Sequence, residues 1–340
     1  MPKILSIEEL FRQFTHLPIV DVRSPSEYET GHIPGSTNIP LFSNNERAKV
    51  GTRYKQSGRE NAVELGLEIV GPKLSDFVKQ AKKVAQNKTL VLHCWRGGMR
   101  SASMAWLFET AGLDVYIIQS GYKAYRQFIR QCFARATKIF ILGGYTGSGK
   151  TDILKELCDL GEQVIDLEGL ANHKGSAFGG IGHKKQPTNE QFENNLAVVW
   201  QTLDLNRTIW IEDESISIGK VGVPDTLYRL MRKAPVLRVI VPKTERAKRL
   251  VDEYAGLEKA QLELAILHIK DRLGGLNTKL ALDALEADNY KEVANITLTY
   301  YDKAYLKGLS KRNPELITEL TVEKDDPDFT AKKIIEITSK

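Results

Sequence analysis

Short apolar runs alternate with helical patterns along most of this chain. Residues 18–22, Pro-Ile-Val-Asp-Val, read as a strand. Ser24-Pro25-Ser26-Glu27 has the form of a capping box with proline at the first helical position, so a helix starts there. Gly31-His32-Ile33-Pro34-Gly35 ends that helix in a turn. Leu74, Phe77, Val78, Ala81 and Val84 fall at helical spacing and predict an amphipathic helix over residues 73–86. Residues 89–92 form an apolar strand, 102–110 a helix, and 115–118 a further strand closed by Ser120-Gly121. This order predicts a parallel α/β domain that ends near Phe133.

A second α/β pattern restarts at Lys138. A strand over 139–142 enters Gly143-Gly144-Tyr145-Thr146-Gly147-Ser148-Gly149-Lys150-Thr151. Apolar runs at 163–167, 208–211 and 236–241 alternate with helical stretches at 189–203 and 226–233. Beyond about Lys259 the pattern is mainly helical and loop-like. Residues 122–135 lack glycine and proline and read as a helix joining the two halves. The expected fold class is therefore α/β. A parallel-sheet domain spans residues 1–135, and a phosphate-loop α/β domain with a helical C-terminal part spans 136–340.

Composition narrows the class. A chain of 340 residues suits two domains of about 150 residues each. Its three cysteines, Cys94, Cys132 and Cys158, are odd in number and widely spaced. They form no disulfide framework and no zinc pattern, and nothing in the sequence calls for haem. A reducing, cytoplasmic setting is expected. Glu8 and Glu9 come too early for a signal peptide, and no apolar run is long enough to span a membrane. The net charge of +5 is modest, but its distribution is uneven. No acid lies between Asp114 and Asp152, where Lys123, Arg126, Arg130, Arg135, Lys138 and Lys150 fall. None lies between Glu168 and Glu190, which enclose Lys174, Lys184 and Lys185. From Arg229 to Arg249 eight bases accompany one acid, Glu245. A solvated face is the ordinary reading of such runs. Three of them beside candidate sites point to a polyanionic partner, with Lys123, Arg126, Arg130 and Arg135 as candidate RNA contacts.

The first candidate site is His93-Cys94-Trp95-Arg96-Gly97-Gly98-Met99-Arg100-Ser101. It lies between a strand and a helix, so Cys94 sits where backbone N–H groups converge and the helix dipole favours negative charge. Arg96 and Arg100 add to that field. A thiol there has a lowered pKa and is a nucleophile at neutral pH. A buried structural cysteine is the bland reading, and two arginines and two glycines within six residues argue against it.

The second is Gly144-x-x-x-x-Gly149-Lys150-Thr151, a full phosphate-loop pattern between strand and helix. Gly144, Gly147, Ser148 and Gly149 belong to a backbone that wraps a diphosphate. Lys150 reaches the terminal phosphate, and the Thr151 hydroxyl is placed for Mg²⁺. The strand over 208–211 ends in Glu212, Asp213 and Glu214. Glu212 and Asp213 are candidates for a water-mediated Mg²⁺ contact, against an equally weighted reading as solvated strand-end acids. Asp166 and Glu168 end a neighbouring strand, and Asn172-His173-Lys174 has the look of a substrate loop. No dedicated metal site is expected.

Asp21-Val22-Arg23, Glu27-Tyr28, Gly31 to Ser36 and Asn38-Ile39-Pro40 resemble the N-terminal signature of the rhodaneses, and Cys94 matches their catalytic cysteine. Arg100 falls six positions after Cys94, one more than in the short persulfide loops. His-Cys-x5-Arg-Ser is also the loop of cysteine phosphatases. A rhodanese domain fused to this phosphate loop and to the stretch from Asp166 to Gly179 resembles the tRNA 2-selenouridine synthases over nearly the whole chain. That resemblance implies a transferase that converts wobble 2-thiouridine in tRNA to 2-selenouridine. It implies selenophosphate and geranyl diphosphate as co-substrates, an S-geranylated intermediate, and Cys94 as an S-selanylcysteine carrier. Two other readings remain open at this point. One is a rhodanese-fold phosphatase or sulfurtransferase fused to a small-molecule kinase. The other is a nucleotide-switched binding module without catalysis.

Overall fold

A computed structural model describes residues 2–134, 137–254 and 256–338. The chain divides into two compact units, Met1–Cys132 and Phe133–Lys340. The first holds strands β1 (Lys3–Leu5), β2 (Ile19–Asp21), β3 (Thr37–Asn38), β4 (Thr89–His93) and β5 (Asp114–Ile118). They form one sheet in the order β1-β5-β4-β2-β3, and every pairing is parallel. β4 lies between β5 and β2. Its Leu90, Val91 and Leu92 are fully buried, as a parallel strand covered on both faces requires. Leu90 and Leu92 pack with Phe77, Ala81, Met104, Ala105 and Phe108 from the helices Leu74–Val84 and Met99–Thr110. Cys94 follows directly on the carboxyl end of this central strand.

The capping box forms as expected: Ser24 precedes the helix Pro25–Thr30, and its N–H donates to Glu27 at 3.1 Å. The sequence reading contained no helix over Asn44–Val70, yet that is the longest in the chain, at 27 residues with a break at Gly58. Its buried residues are Ala62 and Gly66, so it has almost no apolar stripe for periodicity to detect.

The second unit holds β6 (Lys138–Gly144), β7 (Gln163–Ile165), β8 (Thr208–Glu212), β9 (Ser217–Ile218), β10 (Val221–Gly222), β11 (Val236–Ile240) and β12 (Ile317–Thr321). β9 and β10 make a small antiparallel pair; the rest form a parallel sheet in the order β12-β11-β6-β8-β7. β6 is central, and the phosphate loop leaves its carboxyl end, the end at which open α/β sheets bind ligands. The region past Lys259 is helical as expected in Lys259–His268, Gly275–Glu286 and Tyr290–Leu309. Leu262, Ile266, Ala281, Leu285, Val293 and Leu298 close a core there. β12 was not expected, nor were the short strands β1, β3, β9 and β10; β12 adds to the sheet edge with Val236 opposite Ile317. The helix read over 122–135 runs Gly121–Cys132; Arg135 lies outside the described residues. Among those described, no helix is long and apolar enough to cross a membrane.

Candidate active site

In the first unit the Cys94 loop is held from both sides. Tyr122 N–H donates to the Cys94 carbonyl at 2.9 Å and Lys123 N–H to the Trp95 carbonyl at 3.0 Å. These are the first amides of the helix Gly121–Cys132, which lack acceptors in their own helix. Gly121 makes that approach possible. Its φ is +57°, and an added Cβ would overlap the Cys94 carbonyl oxygen. Gly121→Ala is therefore expected to lower stability by roughly 2–4 kcal/mol, from left-handed strain and the clash together. Thermal unfolding measures this; a midpoint equal to wild type contradicts the packing described.

Cys94 is 3% exposed. Its Sγ lies 3.3 Å from Ser101 Oγ, whose own hydroxyl reaches the Gly98 carbonyl at 2.9 Å. Burial alone raises a thiol's pKa. Here the Ser101 hydroxyl, the Arg96 N–H, the Arg100 charge and the Ser101 N–H together outweigh it and hold Cys94 below its ordinary value. The thiolate is thus populated at lower pH than for a free thiol. Ser101→Ala removes the largest of the favourable contacts. The midpoint of the pH profile for alkylation of Cys94 by iodoacetamide should move up, with slower alkylation at pH 7. An unmoved midpoint rules out this source of activation.

The two arginines differ. Arg100 is bidentate on Glu27, with its two guanidinium nitrogens at 2.7 and 3.3 Å. Arg96 is exposed and makes no ion pair among the described residues. Beneath the loop, buried Arg23 donates to Asp21 at 2.5–3.0 Å and lies 3.9 Å from the Tyr122 ring centroid. His93 is fully buried; burial outweighs the attraction of Asp21 and keeps it neutral near pH 7. Sequence reasoning missed Glu27 as the partner of Arg100, because 73 residues separate them.

In the second unit a pocket of about 560 Å³ opens at the phosphate loop. Gly144, Gly147, Ser148, Gly149, Lys150 and Thr151 all line it. Gly149 has φ +72° at the N-cap of the helix Lys150–Asp159, so the first amides of that helix face the loop's interior. Lys150 Nζ rests 3.3 Å from the Gly144 carbonyl. Aromatic and apolar side chains also line it: Tyr228, Leu250, Tyr301, Ala304, Tyr305 and Leu309.

Of the other candidates, Glu168, Lys174 and Asp213 line this pocket. Thr151 Oγ1 donates to Glu168 at 3.2 Å, and Lys174 pairs with Glu253 at 3.0 Å. Asp166, Asn172 and His173 do not line it. Asp166 caps the helix Leu167–Ala171 through the Gly169 N–H, and Asn172 ends that helix in the left-handed conformation. The His173 ring packs against Gly180. Glu212, expected beside Asp213 as a water-mediated Mg²⁺ contact, does not line the pocket. Its carboxyl is buried, accepts the Glu168 N–H at 2.7 Å, and is pushed well up by burial and by the charges of Asp166 and Glu168. Asp213 is held by Arg312 at 2.5 Å.

Glu214, which sequence reasoning passed over, joins Glu168 at the pocket instead, and burial and the Glu168 charge push its carboxyl up against the pull of Lys150. Among the described residues no group of three or more His, Cys, Asp or Glu is placed to hold a metal. A magnesium ion carried in on phosphates needs only one or two protein oxygens, and the Thr151 hydroxyl and Glu168 carboxylate fit that demand.

The basic runs fare unevenly. Arg126 is 6% exposed and is not a surface contact for RNA; Lys123 and Arg130 on the same helix are exposed. Three arginines of the run from Arg229 to Arg249 are consumed internally. Arg238 pairs with Glu319 at 2.6 Å and Arg246 with Asp302 at 2.8 Å, while Arg249 binds Asp325 and Asp152. Arg238 and Arg246 each lie 4.7 Å from the Tyr145 ring centroid and clamp the phosphate loop between them.

Two families match this chain. The rhodanese-like domain matches residues 6–128, and the tRNA 2-selenouridine synthase AAA domain matches 137–326. A tRNA 2-selenouridine synthase from Shewanella frigidimarina is 36% identical over 341 residues, covering 88% of this chain and 90% of that one. One from Shewanella loihica is 37% identical over 341 residues, covering 88% and 89%. One from Nitrosomonas europaea is 38% identical over 264 residues, covering 74% and 67%.

Proposed function

The chain belongs to the tRNA 2-selenouridine synthase family, and from that membership we propose how its two units divide the reaction. The enzyme modifies tRNA, and the fused phosphatase–kinase reading falls away with the family assignment. In the proposed route the phosphate-loop pocket takes geranyl diphosphate. The C1–O bond breaks, diphosphate leaves with the electron pair, C1 bonds to the sulfur of wobble 2-thiouridine, and the base loses its N3 proton. At the other site the Cys94 thiolate attacks the phosphorus of selenophosphate. The P–Se bond breaks and hydrogen selenide leaves with the electron pair; water later frees the cysteine by releasing phosphate. The selenide attacks C2, the C2–S bond breaks and geranyl thiol departs. Alkylation makes sulfur a better leaving group than it is as a thiocarbonyl.

The observation that carries this reading is the mixed lining of the pocket. Lys150 and the phosphate loop share it with the aromatic and apolar side chains of Tyr228, Tyr301, Tyr305 and Leu309. An allylic diphosphate likewise combines an anionic head with a hydrocarbon chain. Thr151 and Glu168 are the residues that would hold a magnesium ion, which when bound would neutralise charge on the departing diphosphate. A reducing cytoplasmic location accords with three cysteines that form no disulfide among the described residues.

The test is mass spectrometry of nucleosides from 2-thiouridine tRNA incubated with the protein, with each donor supplied separately. Geranyl diphosphate alone should give S-geranyl-2-thiouridine, and adding selenophosphate should convert it to 2-selenouridine. Selenouridine formed at full rate without geranyl diphosphate sinks the route.

A further inference from the structure

The helix Asn44–Val70 packs Val50, Ile69 and Val70 near its two ends against the core of the first unit, and between them runs a stretch with no core to face. Residues 52–61 are exposed at every position, and the break at Gly58 (φ +83°) falls inside this stretch. Helices in globular proteins are held mainly by a buried apolar face. This one has its buried residues, Ala62 and Gly66, past the break. The exposed segment therefore projects as an arm, and packing does not account for its composition.

That composition is one-sided. Between Arg47 and Arg59 there is no acidic residue, while Lys49, Arg53 and Lys55 intervene. Lys49, Arg53, Lys55 and Arg59 are all exposed and make no ion pair among the described residues. Glu46, at the base of the arm, is already taken by Lys73 at 2.5 Å. A merely solvated helix face ordinarily alternates its charges, with acid and base four residues apart. Tyr54, in the middle of the basic stretch, is 59% exposed.

The base of the arm is tied to the Cys94 loop. Asn44 Oδ1 accepts from Ser26 N–H and Oγ at 2.9 and 2.8 Å. Arg47 lies 3.9 Å from Glu27, the same carboxylate that holds Arg100. An RNA with one nucleotide at Cys94 would have neighbouring phosphates within the field of this arm.

We propose that the arm spanning Lys49 to Arg59 is a docking surface for the RNA backbone of the substrate, and that Tyr54 offers its ring to an unstacked base. The occupant follows from charge: four unpaired cations without an intervening acid suit a run of phosphates. An exposed aromatic among cations is the pattern that binds single-stranded loops. The proposal rests on the family's tRNA substrate and is independent of the geranyl route.

The test uses the full chain and a tRNA transcript. The variant K49Q/R53Q/K55Q/R59Q should bind about 10- to 100-fold more weakly near 0.1 M salt, and the slope of log affinity against log salt should shrink by about two to three. Tyr54→Ala should weaken binding with the slope unchanged. Helical circular dichroism and the alkylation rate of Cys94 report whether the quadruple variant is folded. If it is not, the single variants Arg53→Gln and Arg59→Gln should each reduce the slope by about one. K82Q/K83Q, exposed lysines on another helix of the same unit, should leave affinity and slope alone. Wild-type failure to bind tRNA at all would count against the substrate, not the arm. Binding of tRNA unchanged in the quadruple variant overturns the proposal. So does an equal loss in the Lys82/Lys83 variant, or a loss confined to phosphatidylserine vesicles.

Discussion

Cys94→Ser is expected to lower 2-selenouridine formation by on the order of a thousandfold or more, as loss of a covalent nucleophile does. The substitution exchanges one atom in a site that is 3% exposed, so the fold should persist. What changes is chemistry. The contacts from Ser101, the Arg96 N–H and Arg100 that lower the thiol's pKa cannot bring an alkanol into the titration range of water, and a neutral hydroxyl is a poor nucleophile toward selenophosphate. If the two units divide the work as proposed, geranylation continues and S-geranyl tRNA accumulates. Cys132→Ser and Cys158→Ser should leave the rate near wild type. Cys132 is buried away from any glycine–arginine loop, and Cys158 is exposed on the helix Lys150–Asp159. Nucleoside mass spectrometry of each variant's product decides it; native-rate selenouridine from Cys94→Ser removes the nucleophile role.

What the chain revealed before folding follows the range of the interactions involved. The Cys94 loop and the phosphate loop are contiguous segments whose glycines, charges and flanking strand and helix are all local. Both motifs were therefore legible in full. The long helix over Asn44–Val70 was not, because a helix with Ala62 and Gly66 as its buried residues carries no apolar period. β12 escaped for a related reason: it is an edge strand, half-exposed along its length, and its Thr-Glu-Leu-Thr reads as polar. Counting charge in windows misjudged the run from Arg229 to Arg249. Its carboxylate partners, Asp302, Glu319 and Asp325, lie 56 to 81 residues further on. Arg126 was misread for a different cause. Tyr122, Tyr125 and Ile129 are the buried face of its helix, and Arg126 lies four residues from Tyr122 and three from Ile129, on that same face. The helical period that marked core positions elsewhere would have placed it inside.

Lys150→Ala should block geranylation of 2-thiouridine tRNA. As geranyl diphosphate ionises, negative charge builds on the departing diphosphate and positive charge on the allylic carbons. Lys150 opposes the first from the loop, together with the amides that follow Gly149. Loss of one such contact costs on the order of a hundredfold or more in rate, about 3 kcal/mol in the barrier. In the free protein Lys150 touches the Gly144 carbonyl at 3.3 Å and draws down the proton affinity of Glu214. Its removal therefore leaves Glu214 more fully protonated, and the loop's own packing by Arg238 and Arg246 around Tyr145 is untouched. The variant should fold and still bind tRNA. Two results then separate the units. With geranyl diphosphate and 2-thiouridine tRNA, Lys150→Ala should yield almost no S-geranyl nucleoside, whereas Cys94→Ser should yield it freely. With pre-geranylated tRNA and selenophosphate, Lys150→Ala should recover much of the wild-type selenation rate, because the step it impairs has been bypassed. Failure of that rescue would mean that the loop also serves selenophosphate. Normal geranylation by Lys150→Ala would remove the diphosphate from this pocket altogether.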